Sequence, residues 1–502
     1  MQRLSSKLYI LIFIQSIIFS NYFSQENIFL ERSFWKKQPN ISIIDSCIKA
    51  GNDPTELNKF AFDAASWAII ENNPLETIKY LIAIEGNDVN KKTHDGRTYI
   101  FWAMYRDNLP LMNYLYDNGA KIDIIDSHGY SLMNFGAVTG QTNIALYDFC
   151  FDRGTKLDEQ KNNDGANPLL LVSPFLDNDN LLNYFISKGI DIKDKDNNGN
   201  GIFNYASKRG NKQLLLKLID QGVDFLINEK INTNAMIFAS YGTRGFENSL
   251  ETYLFLDSLG IDPKIISKDG ETPLHNLAYK TKNKEIINFF KEKGADFNHV
   301  NMNGDNPLMN ACLRNDLSII KLFLDETENI NLKNYKGKSA LSNAVCKNSS
   351  EIVAHLIDIG CDFKVNDNSG NNLIFQLIEN FKANDSVEFE NKLNILLQIG
   401  VETKDLNSKG ETIFHLAIEK NNTSLLEKFI QLGLDINKAD KNGLTPLHLA
   451  VMKAKNMEII EFLVKHGGDI KAKTNFGETA YDLALENELL NKTKANIKIL
   501  KQ

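Results

Sequence analysis

The segment Asp269-Gly270-Glu271-Thr272-Pro273-Leu274-His275 recurs as Asn442-Gly443-Leu444-Thr445-Pro446-Leu447-His448 and, in weaker form, as Lys409-Gly410-Glu411-Thr412-Ile413-Phe414-His415. Each position has a physical reason. Gly270 supplies the positive φ of a tight turn, which a Cβ would oppose. The Thr272 hydroxyl can accept from a free N–H at the start of a helix. Pro273 then sits where a missing N–H costs nothing. Leu274 and Ala278 face the next helix, and the small Ala allows close approach. The segment therefore reads as a turn that feeds a capped helix.

Working outward, turn glycines recur about every 33 residues, at Gly96, Gly129, Gly165, Gly199, Gly270, Gly304, Gly337, Gly370, Gly410, Gly443 and Gly477. One interval is double, its missing turn falling near Asn232. A second ladder, including Gly119, Gly294 and Gly467, follows each turn and reads as a series of helix C-caps. Between the ladders lie apolar residues at helical spacing, such as Ile286, Ile287, Phe289 and Phe290. A tetratricopeptide repeat has a similar period but no such turn.

The Thr-Pro-Leu-His segments, with Gly-Ala-Asp-Phe-Asn at Gly294 to Asn298 and Gly-Asn-Asp-Val-Asn at Gly86 to Asn90, resemble the ankyrin consensus. The resemblance implies an all-α solenoid of about fourteen repeats including caps. Its expected layout is a capping helix pair over 25–60, an array over 61–476 and a terminal capping repeat over 477–502. It also implies that the consensus His rings link neighbouring loops. The function it implies is recognition of a folded protein partner on a concave face, without catalysis.

Composition fits a soluble folded chain: 43% of the 502 residues are hydrophobic and 24% charged. A net charge of −8 argues against nucleic acid, which needs a concentrated basic face. The abundance of Asn, Lys and Ile reads as genomic base composition without chemical meaning. Arg3 and Lys7 precede an apolar run from Leu8 to Phe19 and a polar stretch to Gln25, the layout of a signal peptide over 1–24. The expectation is an exported monomer, periplasmic or secreted, with no membrane span in the mature chain.

The eight His residues all fall at repeat positions, and none has metal-ligand spacing. The glycine-rich Asn197-Asn198-Gly199-Asn200-Gly201 lacks the Lys-Ser/Thr of a phosphate loop. No catalytic, metal or cofactor site is expected. The five cysteines are expected as free, mostly buried thiols, because stacked helices hold Cα atoms too far apart for a disulfide.

Breaks in the period point to partner contacts. The inter-helix turn expands over Ser240 to Ser249, where Tyr241, Arg244 and Phe246 combine apolar area with a cation between glycines. A second expansion covers Asn380 to Val387. Arg97, Tyr105 and Arg106 fall at turn-adjacent and helix-end positions. These six residues are the candidate contacts for an unidentified protein. An alternative role is protection or inhibition of an envelope enzyme, and another is association with an exported effector.

Overall fold

The structure is a computed structural model that describes residues 27–226, 228–382, 385–492 and 496–501. The proposed signal segment lies outside the described residues. Two compact units are present, Met1–Phe225 and Leu226–Gln502. Six helix pairs are described in the first and eight in the second, fourteen in all. Among the described residues there are no strands, only isolated bridges such as Lys195 with Gly201 and Lys473 with Thr479. No described helix is long and apolar enough to cross a membrane.

Most repeats are a turn, a first helix, a second helix and a glycine cap, as in Pro273–Lys280 followed by Lys284–Glu292; Leu317–Leu324 ends at Asp325 without one. The first helix is buried through Pro273, Leu274, His275, Leu277 and Ala278. The second buries one stripe, Ile286, Ile287, Phe289 and Phe290, each worth about 1.5–3 kcal/mol of apolar burial. First helices stack on first helices, and Cys312, fully buried, takes the place that Ala278 holds one repeat earlier. All five cysteines are free; Cys150, Cys312 and Cys361 are buried, Cys47 and Cys346 partly so. Burial pushes the Cys150 thiol up to about 12.

The two glycine ladders have different causes. Gly270 has φ +73°, and an added Cβ would lie 2.8 Å from Asn301 Cα in the next turn. Gly294 has the same φ, but its Cβ would meet nothing within 4 Å. The turn glycine answers to shape and proximity, the cap glycine to shape alone. Where the turn glycine is missing, Asn232 adopts φ +51°, a conformation Asn tolerates better than most residues.

Turns are joined to one another by backbone bonds. Met302 N–H donates to Asp269 O (2.9 Å), Tyr335 N–H to Asn303 O (2.9 Å) and Asn368 N–H to Lys336 O (3.0 Å). Inside most turns one Asn or Asp templates the loop: Asn301 Oδ1 accepts from the N–H groups of Asn303 (2.9 Å) and Asp305 (3.1 Å), while Ser267 and Thr474 hydroxyls serve in two others. Asn298 Nδ2 donates to Glu326 O, and its Oδ1 accepts from Glu328 N–H, so one amide spans two repeats. The asparagines thus carry the turn chemistry, which corrects the reading of their abundance as base composition.

The consensus histidines close the same gap. Thr272 N–H donates to His275 Nδ1 (3.2 Å), so that nitrogen carries no proton. His275 Nε2–H then donates to Asp305 O in the next turn (3.0 Å). His415 and His448 repeat the pattern, reaching Leu444 O (2.9 Å) and Ala472 O (3.1 Å). Burial holds all three below the ordinary imidazole range, His275 at about 4.

A last ladder covers helix C-termini. Asn315 Nδ2 donates to Ala278 O and Thr281 O of the preceding repeat, Asn348 Nδ2 to Cys312 O and Asn315 O, and Asn487 Nδ2 to Val451 O and Ala454 O. The insertion after Asn380 displaces this asparagine from its repeat. Its second helix, Ser386–Gln398, runs to 13 residues against nine in Ser350–Asp358, and brings Lys392 into the gap. Buried Lys392 Nζ donates to Val345 O (3.0 Å) and Asn348 O (2.7 Å). Burial lowers its ammonium pKa. Phe381, inside the insertion, packs edge-on against Phe389.

At the N-terminus the first member of the expected capping helix pair over 25–60 is split into a 3₁₀ turn, Ile28–Leu30, and a short helix, Arg32–Trp35. Glu31 is extended between them, and the Trp35 indole donates to Phe29 O (2.8 Å), a carbonyl an unbroken helix would use.

Two outcomes follow from these ladders. A histidine whose folded pKa is depressed binds its proton more readily unfolded, so stability is full above the unfolded value near 6.5 and falls as pH drops toward about 4. For His275 the loss is on the order of 3 kcal/mol, with His415 and His448 adding in the same direction. Urea midpoints should fall between pH 7 and pH 5, and replacing the three histidines by Asn should flatten that slope; an unchanged slope would refute the assignment. Separately, Lys392→Met should cost about 2 kcal/mol by stripping a charged donor from two carbonyls. Exposed Lys382→Met, in the same loop, should stay within about 0.5 kcal/mol, and equal midpoints for the two variants would remove the capping role.

Candidate functional site

Counting from the residue that caps the first helix, the seventh and eighth positions end that helix and reach solvent in many repeats. Tyr105 and Arg106 occupy them in the Gly96 repeat, Tyr279 and Lys280 in the Gly270 repeat, Leu313 and Arg314 in the Gly304 repeat, and Cys346 and Lys347 in the Gly337 repeat. Tyr241 takes the seventh position after Asn234 and is 44% exposed. Three of the six candidate contacts thus share one register. Tyr105 and Arg106 are half-buried: the guanidinium lies over the neighbouring ring (5.9 Å), and its Nε donates to Asn72 Oδ1 (2.9 Å).

Arg97 has a different place. It is 8% exposed, donates from Nε to Asp126 Oδ2 (2.8 Å), pairs with Asp95 (3.0 Å) and lies over the Phe135 ring (4.5 Å). The residue after the turn glycine points at the next turn. Glu271 and Asp305 hold that position in their repeats and accept from Asn301 Nδ2 (2.8 Å) and Asn334 Nδ2 (2.7 Å). Arg97 is therefore a strut between turns, with little side chain left for a partner. Burial likewise pushes the Glu271 carboxyl above its usual range.

The expanded turn is an ordered hairpin. Thr243 N–H donates to Phe246 O (3.2 Å) and Phe246 N–H to Thr243 O (3.0 Å), with Gly245 at φ +74° between them. Gly242 has φ +56°, and its added Cβ would strike Phe246 O at 2.4 Å, so only glycine fits. Arg244 stands exposed at the tip, with no ion pair among the described residues, while Phe246 is half-buried. Buried Asn248 anchors the far end, donating to Ala239 O (3.0 Å). Lys280 Nζ donates to Tyr241 O and ties the hairpin to the next repeat. Burial lowers the Lys280 pKa, with Glu247 opposing the shift.

Further exposed side chains lie on the repeats that follow. Met302 and Tyr335 stand at successive turn tips, 66% and 69% exposed. Arg314 lies over the Tyr279 ring at 5.6 Å. Sequence reasoning did not single these residues out, although their repeat register, shared with Tyr105, Arg106 and Tyr241, was the available signal for Tyr279 and Arg314. No group of three His, Cys, Asp or Glu side chains able to hold a metal occurs among the described residues. His94 and His128 do flank Asp95, at 3.3 and 3.2 Å, but only as partners of one carboxylate.

A family profile described as ankyrin repeats in three copies matches residues 37–126, 62–147, 236–334, 274–367, 384–474 and 414–495, more than half of the chain. A putative ankyrin repeat protein of Rickettsia felis is 26% identical over 262 residues, covering 48% of this chain and 67% of the relative. The putative ankyrin repeat protein FPV230 of fowlpox virus is 30% identical over 134 residues, covering 27% of this chain and 68% of the relative. The crystal structure of the human ASB11 ankyrin repeat domain aligns with 44% of this chain and 98% of its own at 23% identity, with a TM-score of 0.37. With the turn, His and Asn ladders on one side and the family profile over more than half of the sequence on the other, the chain belongs to the ankyrin-repeat family.

Proposed function

We propose that this chain is a non-catalytic scaffold that captures a protein partner through its first-helix ends and turns, with the Thr243–Phe246 hairpin as a principal contact. Ankyrin repeats are generally protein–protein interaction modules, which supports the class of function. The observation that carries the choice of site is Arg244, exposed and unpaired on an ordered hairpin beside exposed Tyr241. Arg and Tyr dominate binding hot spots, and a hairpin already ordered loses little entropy when a partner arrives. Export supports an extracytoplasmic partner, and rests on the basic, apolar and polar succession of residues 1–24.

Tagged full chain should retain a discrete protein from envelope fractions, identified by mass spectrometry. Tyr241→Ala with Arg244→Ala should weaken that retention by about tenfold or more, a loss of about 1.4 kcal/mol or more, with the melting temperature unchanged. Equal retention by the variant would move the site elsewhere, and an empty capture by the wild type would end the scaffold reading. Fractionation tests export: cytoplasmic protein that keeps Met1 would refute it.

A further inference from the structure

We infer that the cleft between the Gly410 and Gly443 repeats receives the side-chain carboxamide of an asparagine or glutamine carried by a protein partner; this names a contact beyond the hairpin and rests on the scaffold reading. Ile418, Asn421, Ala450, Ala454, Asn456 and Ile459 line a cavity of about 570 Å³ there, a size that takes small ligands.

Other repeats show what this place normally holds. In the Gly304, Gly337 and Gly477 repeats the residue directly after the first helix is an extended asparagine: Asn315, Asn348 and Asn487. Each donates to the carbonyls at the sixth and ninth positions after the preceding repeat's capping residue, as Asn348 does to Cys312 O (3.1 Å) and Asn315 O (2.9 Å). Lys392 reaches the same two positions from its lengthened helix, at Val345 O and Asn348 O.

In the Gly443 repeat the place falls to Ala454. Its backbone (φ −65°, ψ 138°) is extended, as in Asn487 (φ −76°, ψ 101°), but a methyl group donates nothing. The carbonyls that the register assigns to it are Ile418 O and Asn421 O, and both residues line the cavity. Ile418 O holds one backbone bond, from Asn421 N–H (3.0 Å); no side chain donates to either carbonyl among the described residues.

The helix that borders the cleft through Ile459 lacks the opposite partner. Asn487 Oδ1 accepts from Leu489 N–H (2.9 Å) and Leu490 N–H (3.1 Å) at the start of its second helix. Glu458–Lys465 instead starts at Met457, with no cap bond from that side chain. Asn456 Oδ1 accepts from Glu458 N–H (3.2 Å), and Ile459 N–H and Ile460 N–H have no side-chain acceptor among the described residues. Helix-start N–H groups need such a partner or solvent.

The cleft therefore calls for an occupant that both donates and accepts. An ammonium only donates and a carboxylate only accepts, whereas a primary amide does both. Glu419, Lys453 and Lys455 put both signs of charge on the lining, with Glu419 paired to Lys453, so hydrogen bonding selects the occupant and charge does not. Ile418, Ala450 and Ile459 offer apolar cover for its methylene stem.

The test uses the full chain, methyl-labelled at isoleucine and read by NMR. It is titrated with the capped tripeptide acetyl-Ala-Gln-Ala-N-methylamide, and with Asn, Glu, Lys or Leu in place of Gln. The Gln and Asn peptides should shift the Ile418 and Ile459 methyl signals saturably, and the other three should not. Ala454→Asn supplies the amide from within, so it should raise the urea midpoint and weaken the Gln peptide at least about tenfold. Ala454→Asp, of the same shape without the N–H groups, should leave the midpoint no higher. Ala83→Asn, at an exposed helix end in the other unit, should change neither reading. Circular dichroism confirms that each variant folds. The inference is overturned by equal shifts with the Glu or Lys peptide, by an unraised midpoint in Ala454→Asn, or by a raised midpoint with no peptide response, the result for a cleft that holds only water. A partner retained from envelope fractions without any peptide response would discard the amide contact and keep the scaffold; empty capture would discard the scaffold itself.

Discussion

Among the described residues, successive repeats end in backbone groups that their neighbours satisfy. His275 reaches Asp305 O, Asn315 reaches back to Ala278 O and Thr281 O, and Met302 N–H reaches Asp269 O. Buried N–H and C=O groups left unpaired cost a few kcal/mol each, so a repeat in isolation would be penalised along both of its faces. Its apolar stripe is equally incomplete, since first helices bury against first helices. Cohesion inside each unit is therefore a sum of neighbour terms, and polar ladders set the register that apolar packing alone would leave loose.

That constraint explains how the period tolerates insertion. Both expansions fall between the two helices of a repeat, where the C-terminal carbonyls of a first helix need a donor. Each expansion brings in a residue that serves those carbonyls. Asn248 covers Ala239 O of its own repeat after the hairpin, and Lys392, from a lengthened helix, covers Val345 O and Asn348 O of the preceding repeat. The donor type changes from amide to ammonium while the carbonyls keep their partners. The His position is looser. Met309 replaces it in the Gly304 repeat, where Asn310 Nδ2 donates to His275 O and the backbone bond between turns remains.

Much of this was legible in the sequence because turn chemistry is local. Gly270, Thr272 and Pro273 act within a few residues of themselves, so their recurrence reveals the period, the helix starts and the pair count. What escaped was the direction of side chains between repeats. Arg97 looked like an exposed cation beside a turn, yet the residue after the turn glycine aims at the following turn, and Asp126 waits there. Asparagines such as Asn298, Asn315 and Asn348 looked like base composition because each acts on a carbonyl about 30 residues away. Unpaired Arg314 and Lys347 were invisible for the same reason: whether a cation has a partner depends on the next repeat, whose contacts the period does not list.

The ladders also determine where specificity can reside. Strut, template Asn and linking His are each held by a bond to a neighbouring repeat, and the turn glycine by close approach to it, so changing one disturbs two repeats. Some seventh and eighth positions of the first helix are tied to a neighbour as well, Arg106 to Asn72 and Lys280 to Tyr241 O, whereas others, with several turn tips, carry no side-chain ion pair among the described residues. Together these positions hold Tyr241, Tyr279, Arg314, Lys347, Met302 and Tyr335 in one stretch, and paired Lys453 in another. Side chains freed from structural duty are the ones that can differ between repeats without loss of fold.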